Sequence, residues 1–382
     1  MRILQVVPVY SSILGGGTYR VVKSIAKELS KKHDVTIYTT AAKSQYYDYS
    51  NKPFEKKIDG YTVVYFPRNL VKSGLSISIS MALELIRRYS DFDVVHVHSW
   101  RNFQDPLLLA INRLFNTKYL LQTHGSISRA KSKNIPKFVY DYSIGRKVLG
   151  HAKRLLALSK LEGYQYHSLG VPKEKISIIP NGIDLGEYKI WSNTKIRIRR
   201  KFGIAEQEKI VTFLGRLHET KGLGLLVDAF AIATEEIENL RLVFVGPDDG
   251  FKNQLIKQIS ELKLQNHVTF TGFISMEEKL ATLRESEVFV TPTFNAFPIS
   301  FLESCFCRCP ILTTSNELSW IDGNVGIVTE HNSNSLGAAL KRILIDDSLK
   351  QLLRKNCEST IQKFSMTVIG SKLEQIYMNA IR

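Results

Sequence analysis

The residues best suited to chemistry lie at 211–222, Val-Thr-Phe-Leu-Gly-Arg-Leu-His-Glu-Thr-Lys-Gly. A buried apolar run ends in Gly215, Arg216 and Lys221 follow five residues apart, and Gly222 opens the next apolar segment. Two cations just beyond a strand end, beside a helix N-terminus, suit a diphosphate. Glycine lets the backbone approach the phosphate, and the side chains neutralise its charge. The same spacing also fits an ordinary exposed turn, so its weight depends on the rest of the chain.

Three other stretches are of the same kind. Gly15-Gly16-Gly17 follows the first apolar run and exposes backbone N–H groups where a phosphate or sugar could sit. It is neither a dinucleotide fingerprint nor a Walker loop. Thr123-His124-Gly125 places an imidazole just past a strand end, where an open α/β sheet has its ligand crevice, and His98 ends a neighbouring run. Pro292 to Glu303 leads from a strand into a helix whose first amides suit an anionic or hydroxyl-rich ligand. Glu303, near the start of that helix, is a candidate bidentate acceptor for ribose hydroxyls, although a carboxylate there also serves the helix dipole.

These residues need elements to hold them. Short runs that are apolar at nearly every position recur at 3–7, 35–38, 62–65, 94–97, 119–121, 155–157 and 176–179. They recur again at 210–213, 242–245, 268–270, 288–290 and 311–313. Helical patterns separate them, for example 222–232 and 253–262. Strands buried on both faces, alternating with helices, indicate parallel sheets. Two consecutive sets predict an α/β protein of two doubly wound Rossmann-like domains facing a cleft, residues 1–184 and 185–365. The polar, basic stretch from the turn Pro180-Asn181-Gly182 to Glu208 forms the join.

With 382 residues, 44% hydrophobic and 23% charged, the chain is expected to fold as a soluble two-domain protein. No apolar run has the length of a membrane-spanning helix. The N-terminus reads as a buried strand, not a signal peptide. Cys305, Cys307, Cys309 and Cys357 lack the paired spacing of a zinc site and read as buried reduced thiols, which implies a cytoplasmic protein. No metal site is expected. The net charge of +16 is uneven: residues 1–180 hold 28 Lys and Arg against 12 Asp and Glu, so the whole excess lies in the first half. That half is expected to meet something anionic.

In their order, these pieces resemble the retaining GT-B glycosyltransferases of family 4. The resemblance spans nearly the whole chain: Gly-Gly-Thr-Tyr-Arg at 16–20, Asp-Val-Val-His-Val-His-Ser at 93–99 and Thr-His-Gly at 123–125. It continues through Ile-Ile-Pro-Asn-Gly-Ile-Asp at 178–184, Gly-Arg-x₄-Lys-Gly at 215–222, Val-Gly-Pro at 245–247, Val-Thr-Phe-Thr-Gly at 268–272 and Pro-Thr-x₉-Glu at 292–303. It implies a hexosyltransferase that uses a nucleoside-diphosphate sugar, with no cofactor and no metal, and a last helix (366–382) crossing back onto the first domain. His124, Arg216 and Lys221 take the catalytic roles. Gly16, Gly17, Arg216, Lys221, Gly246, Gly272, Phe273, Asn295, Phe297, Ile299 and Glu303 contact the donor. A front-face transfer assisted by the leaving phosphate fits best.

One departure bears on the donor. The first of the family's paired glutamates falls on Asn295, which keeps hydrogen-bonding capacity but loses charge. It motivates an alternative, a non-catalytic sugar-nucleotide-binding protein or partner subunit. A basic, aromatic segment over 127–154 includes Arg129, Lys131, Lys133, Arg146 and Lys147, with Phe138, Tyr140 and Tyr142 interleaved. Its composition suits an anionic membrane. No nucleic-acid module is visible. With His98, these residues are the expected acceptor and membrane contacts of a peripheral enzyme on the inner face of the cytoplasmic membrane, acting on a glycan or lipid-linked acceptor.

Overall fold

The structure, a computed structural model, describes residues 1–11, 16–40, 52–72, 75–98, 100–115, 119–127, 135–193, 196–294, 297–315 and 317–381. Expectations placed on Gly15, Arg129, Lys131, Lys133 and Asn295 lie outside the described residues. The chain divides into two compact units, Met1–Ile183 with Met366–Arg382, and Asp184–Ser365.

The first unit is built on β1 (Arg2–Val9), β2 (Asp34–Thr40), β3 (Phe54–Ile58), β4 (Tyr61–Phe66), a small antiparallel hairpin of β5 (Leu70–Lys72) and β6 (Leu75–Ile77), β7 (Val94–His98), β8 (Leu120–Gln122), β9 (Arg154–Ala157) and β10 (Ile176–Ile178). Eight of these form one sheet in the order β10-β9-β8-β7-β1-β2-β4-β3. All pairings are parallel except β3 with β4. β3 is the difference from the all-parallel expectation. Its sequence Phe-Glu-Lys-Lys-Ile has three charged central residues, which mark a solvated edge and give no buried apolar run to read.

Strand alternation gives this sheet two unlike faces. Leu4, Val6, Val95, Val97 and Leu121 enter the main apolar cluster. The opposite face carries Gln5, His96, His98 and Gln122, all buried, with Gln5 beside His96 and His98 beside Gln122. The C-terminal helix Met366–Ile381 meets this polar face, where the Tyr377 hydroxyl lies 2.7 Å from Nδ1 of His96. It is held further by the Met366 N–H donating to the Ile183 carbonyl and by His33 pairing with Glu374.

The second unit has six parallel strands, β11 (Lys209–Leu214), β12 (Leu240–Val245), β13 (Val268–Gly272), β14 (Ser286–Val290), β15 (Ile311–Thr313) and β16 (Gly326–Val328), in the order β13-β12-β11-β14-β15-β16. Its core includes Phe213, Phe230, Phe244, Val288 and Leu340. Three of its helices bear on the site: Leu185–Ser192, Met276–Glu285 and Ile299–Phe306. The helix Met276–Glu285 starts at a capping box of Ser275 and Glu278, which satisfies its first amides. Cys305, Cys307, Cys309 and Cys357 are all free and buried.

Candidate active site

In the second unit the strand order reverses at β11, with β12 on one side and β14 on the other. Open parallel sheets bind ligands beyond the strand C-termini at such a point. The loops leaving β11 and β14 meet there. A Cβ on Gly222, whose φ is +68°, would fall 2.9 Å from the Thr293 hydroxyl and 3.1 Å from Pro292. That hydroxyl is buried and has no hydrogen-bond partner among the described residues. Next to it the β11 and β12 loops cross so closely that a Cβ on Gly246 would lie 2.0 Å from the Gly215 carbonyl oxygen, which only glycine permits. The Gly215 N–H donates to Val245 and the Gly246 N–H to Gly272, so three strand ends are tied into one rim.

Arg216 stands on this rim, about two-thirds exposed, its guanidinium 2.5 Å from Asp249. Lys221 ends the short 3₁₀ turn Glu219–Lys221 that leads into Gly222. The two proposed phosphate cations are thus on one loop, and Asp249, which the sequence did not single out, competes for the first. Phe273, just beyond β13, is 73% exposed, so its ring is available to a planar group.

Two expected donor contacts, Glu303 and Phe297, are buried. The Glu303 carboxylate is partnered within the protein. Glu303 is the fifth residue of the helix Ile299–Phe306, 2% exposed, and its Oε1 accepts from Tyr188 Oη at 3.0 Å and Lys279 Nζ at 2.5 Å. Lys279 on the helix Met276–Glu285 supplies a cation to this buried carboxylate. The Phe297 ring packs within the protein. It is 4% exposed and stacks on Trp320, with Phe364 beside it. Ile299 is also buried, so its contribution at the helix start is its backbone.

In the first unit the order reverses between β1 and β7. Gly16 and Gly17 open the helix Gly16–Leu29, and both are exposed. Gly16 has φ +51°, and a Cβ there would meet nothing within 4 Å, so its backbone is open to a ligand. His124 follows β8 with φ +51°, a left-handed conformation uncommon outside glycine. Its Nε2 lies 2.9 Å from Nδ1 of His98. His98, expected at the acceptor, is 1% exposed and pairs with His124. Desolvation pushes His124 down to about 4 and His96 down to about 3, and holds His98 well below the ordinary imidazole value. All three are uncharged at neutral pH.

Arg146 and Lys147 are exposed. The Arg146 guanidinium lies 4.4 Å over the Tyr142 ring, which in turn packs on Phe138. Ile135, Phe138, Val139 and Tyr142 follow helical i, i+3, i+4, i+7 spacing, and all four are exposed. This helical segment therefore turns an apolar stripe outward. Among the described residues no helix is long and apolar enough to cross a membrane, and no group of three or more His, Cys, Asp or Glu is placed to hold a metal ion.

Comparison with known proteins gives the family and the fold. The Glycosyltransferase Family 4 model matches residues 15–187, and the Glycosyl transferases group 1 model matches residues 194–363. A putative glycosyltransferase YtcC of Bacillus subtilis is 23% identical, covering 97% of this chain and 89% of its own. The alpha-monoglucosyldiacylglycerol synthase of Streptococcus pneumoniae is 23% identical, covering 94% and 82%. Among solved structures, Anabaena Alr3699/HepE in complex with UDP and glucose superposes with a TM-score of 0.77 at 16% identity, over 99% of this chain and all of that one. With two Rossmann-like units and both family models matched in order, the chain belongs to the family 4 glycosyltransferases of GT-B fold and is a glycosyltransferase.

Proposed function

We propose that the protein transfers a hexosyl group from a nucleoside-diphosphate sugar to an acceptor hydroxyl, with retention, and that the acceptor is a lipid-linked or cell-surface glycan precursor. The observation that carries the donor half is the rim of the second unit. Arg216, Lys221, the close-approach glycines and an unpartnered buried Thr293 hydroxyl gather at one topological switch point. Such a rim neutralises a departing diphosphate with fixed cations and dipoles, so the reaction needs no metal. His124, uncharged, acts on the reacting sugar as a hydrogen-bonding group. The solved relative holding UDP and glucose supports this donor class.

The acceptor half rests on the outward apolar stripe at 135–142, flanked by Lys137, Arg146 and Lys147. Apolar side chains ringed by cations fit an anionic bilayer surface. A relative named for a glucosyldiacylglycerol product is in keeping with a lipid acceptor. We therefore place the protein peripherally at the cytoplasmic membrane.

The test is incubation of the purified protein with a panel of nucleotide sugars and a membrane-lipid extract, read by mass spectrometry. A new hexosyl lipid, formed with chelator present and with unchanged anomeric configuration by NMR, is the expected result. Transfer from no donor overturns the reading, and an inverted product overturns its stereochemistry.

A further inference from the structure

His124 is held in its unusual backbone conformation by a residue far away in sequence. Glu162 lies on the helix Lys160–Ser168, three positions after its N-cap Ser159, and is 2% exposed. Its Oε1 accepts from the Thr123 hydroxyl at 2.7 Å and from the Gly125 N–H at 2.7 Å. Its Oε2 accepts from the Leu158 N–H at 2.6 Å. One carboxylate oxygen thus clamps both neighbours of His124. The Tyr166 hydroxyl, from the same helix, lies 2.9 Å from the Thr123 hydroxyl and accepts from the Thr123 N–H.

No cation accompanies Glu162 in these contacts. Three donors and the N-terminus of its own helix meet its charge. Burial raises its pKa while these hydrogen bonds oppose the rise. His124 and Gly125 are consecutive left-handed residues, at φ +51° and +78°. A non-glycine residue held there is strained and persists only where its surroundings over-determine it. Glu162 supplies that constraint, and the result aims the His124 ring at His98.

We propose that Glu162 is a positioning residue for His124, fixing the backbone and the ring direction of that imidazole by gripping residues 123 and 125. The inference rests on the reading that His124 acts on the reacting sugar.

The Glu162→Gln variant tests it. Its amide keeps one acceptor oxygen but turns an NH₂ against either the Leu158 N–H or the donors of residues 123 and 125. Thr123→Val removes one donor and leaves the carboxylate, so it serves should Glu162→Gln fail to fold. The first readout is NMR of ring-labelled histidines in the whole protein. Loss of the clamp shifts the His124 ring signals and raises its titration toward the ordinary value near 6.5. Unchanged His124 signals in folded Glu162→Gln and Thr123→Val overturn the proposal.

The second readout is turnover with UDP-glucose and the lipid extract. kcat falls about tenfold, as for a slightly misplaced group, with KM for the donor nearly constant. In a His124→Ala background the Glu162 substitution adds nothing further, because coupled residues are non-additive. A full additional loss there means a merely structural role and overturns the proposal. Normal turnover by His124→Ala, alongside shifted ring signals in Glu162→Gln, sinks the assigned role of His124 while leaving the clamp in place.

Discussion

At the scale of single residues, charge pairing decides what the site can do. Arg216 is exposed and paired with Asp249, so under the proposed function an incoming diphosphate replaces one carboxylate partner rather than meeting a bare cation. Arg216→Ala and Lys221→Ala are each expected to slow transfer by about 10²–10³, the usual cost of losing a charge-stabilising group. Thermal stability should hold, because the Arg216 pair is exposed and such pairs contribute little. Asp249→Ala should instead tighten binding of the bare nucleoside diphosphate. Calorimetry and turnover of the three variants check this, and unchanged turnover in both cation variants removes the diphosphate assignment. Glu303 behaves differently, since it is buried with Lys279 and Tyr188. Lys279→Met strands a buried carboxylate and should cost about 3–5 kcal/mol of stability in denaturant melts. A loss under about 1 kcal/mol, the range of exposed pairs, would show that water reaches Glu303 after all.

At the scale of elements, the sequence was legible wherever burial is two-sided. Strands such as β7 and β12 announce themselves as runs apolar at most positions, unbroken over 242–245, and the motif residues sit on the loops that leave them. β3 gave no such signal, since an edge strand solvated along most of its length needs no apolar run. The clamp on His124 was also invisible, because it joins residues 39 apart through a carboxylate that reads locally as an ordinary helix-start glutamate. The packing of Phe297 was hidden as well: its place in a loop motif gives no sign that its ring lies against Trp320 and Phe364. The stripe Ile135, Phe138, Val139 and Tyr142 shows what the structure adds to a basic composition, namely that the apolar side faces out. Co-sedimentation should show binding to anionic vesicles and little to neutral ones, weakening with salt as screening shortens the reach of Arg146 and Lys147. Phe138→Ser with Val139→Ser should weaken binding even at low salt, and Arg146→Glu with Lys147→Glu should abolish the preference for anionic lipid. Equal binding by all forms rules the stripe out.

At the scale of the whole molecule, the first unit is closed by the end of the chain. The helix Met366–Ile381 covers a sheet face that carries buried glutamine and histidine where apolar side chains are usual, and its Tyr377 hydroxyl pairs with His96. His96, His98 and His124 all have folded pKa values below the ordinary 6.5, at about 3 for His96 and about 4 for His124. The sign follows from proton uptake. As pH falls through about 6.5 the unfolded chain binds protons on these histidines, whereas the folded unit takes one onto His124 only near 4 and onto His96 only near 3, with His98 also held well below the ordinary value. Their contribution to stability is therefore complete above about 6.5 and is lost progressively as pH falls through the window below it. The melting temperature should drop across that window at constant ionic strength. Truncation after Ser365 bares the polar face and lets His96 hydrate, so it should destabilise the first unit and flatten that dependence. The second unit has a hydrophobic core of its own, so it should keep its structure. Hydrogen exchange separates the two: protection should vanish in β1 and β7 and persist in β11 and β12. Loss of protection in both units alike would show that the helix stabilises the entire chain, and retained protection in β1 would show that the sheet face closes without it.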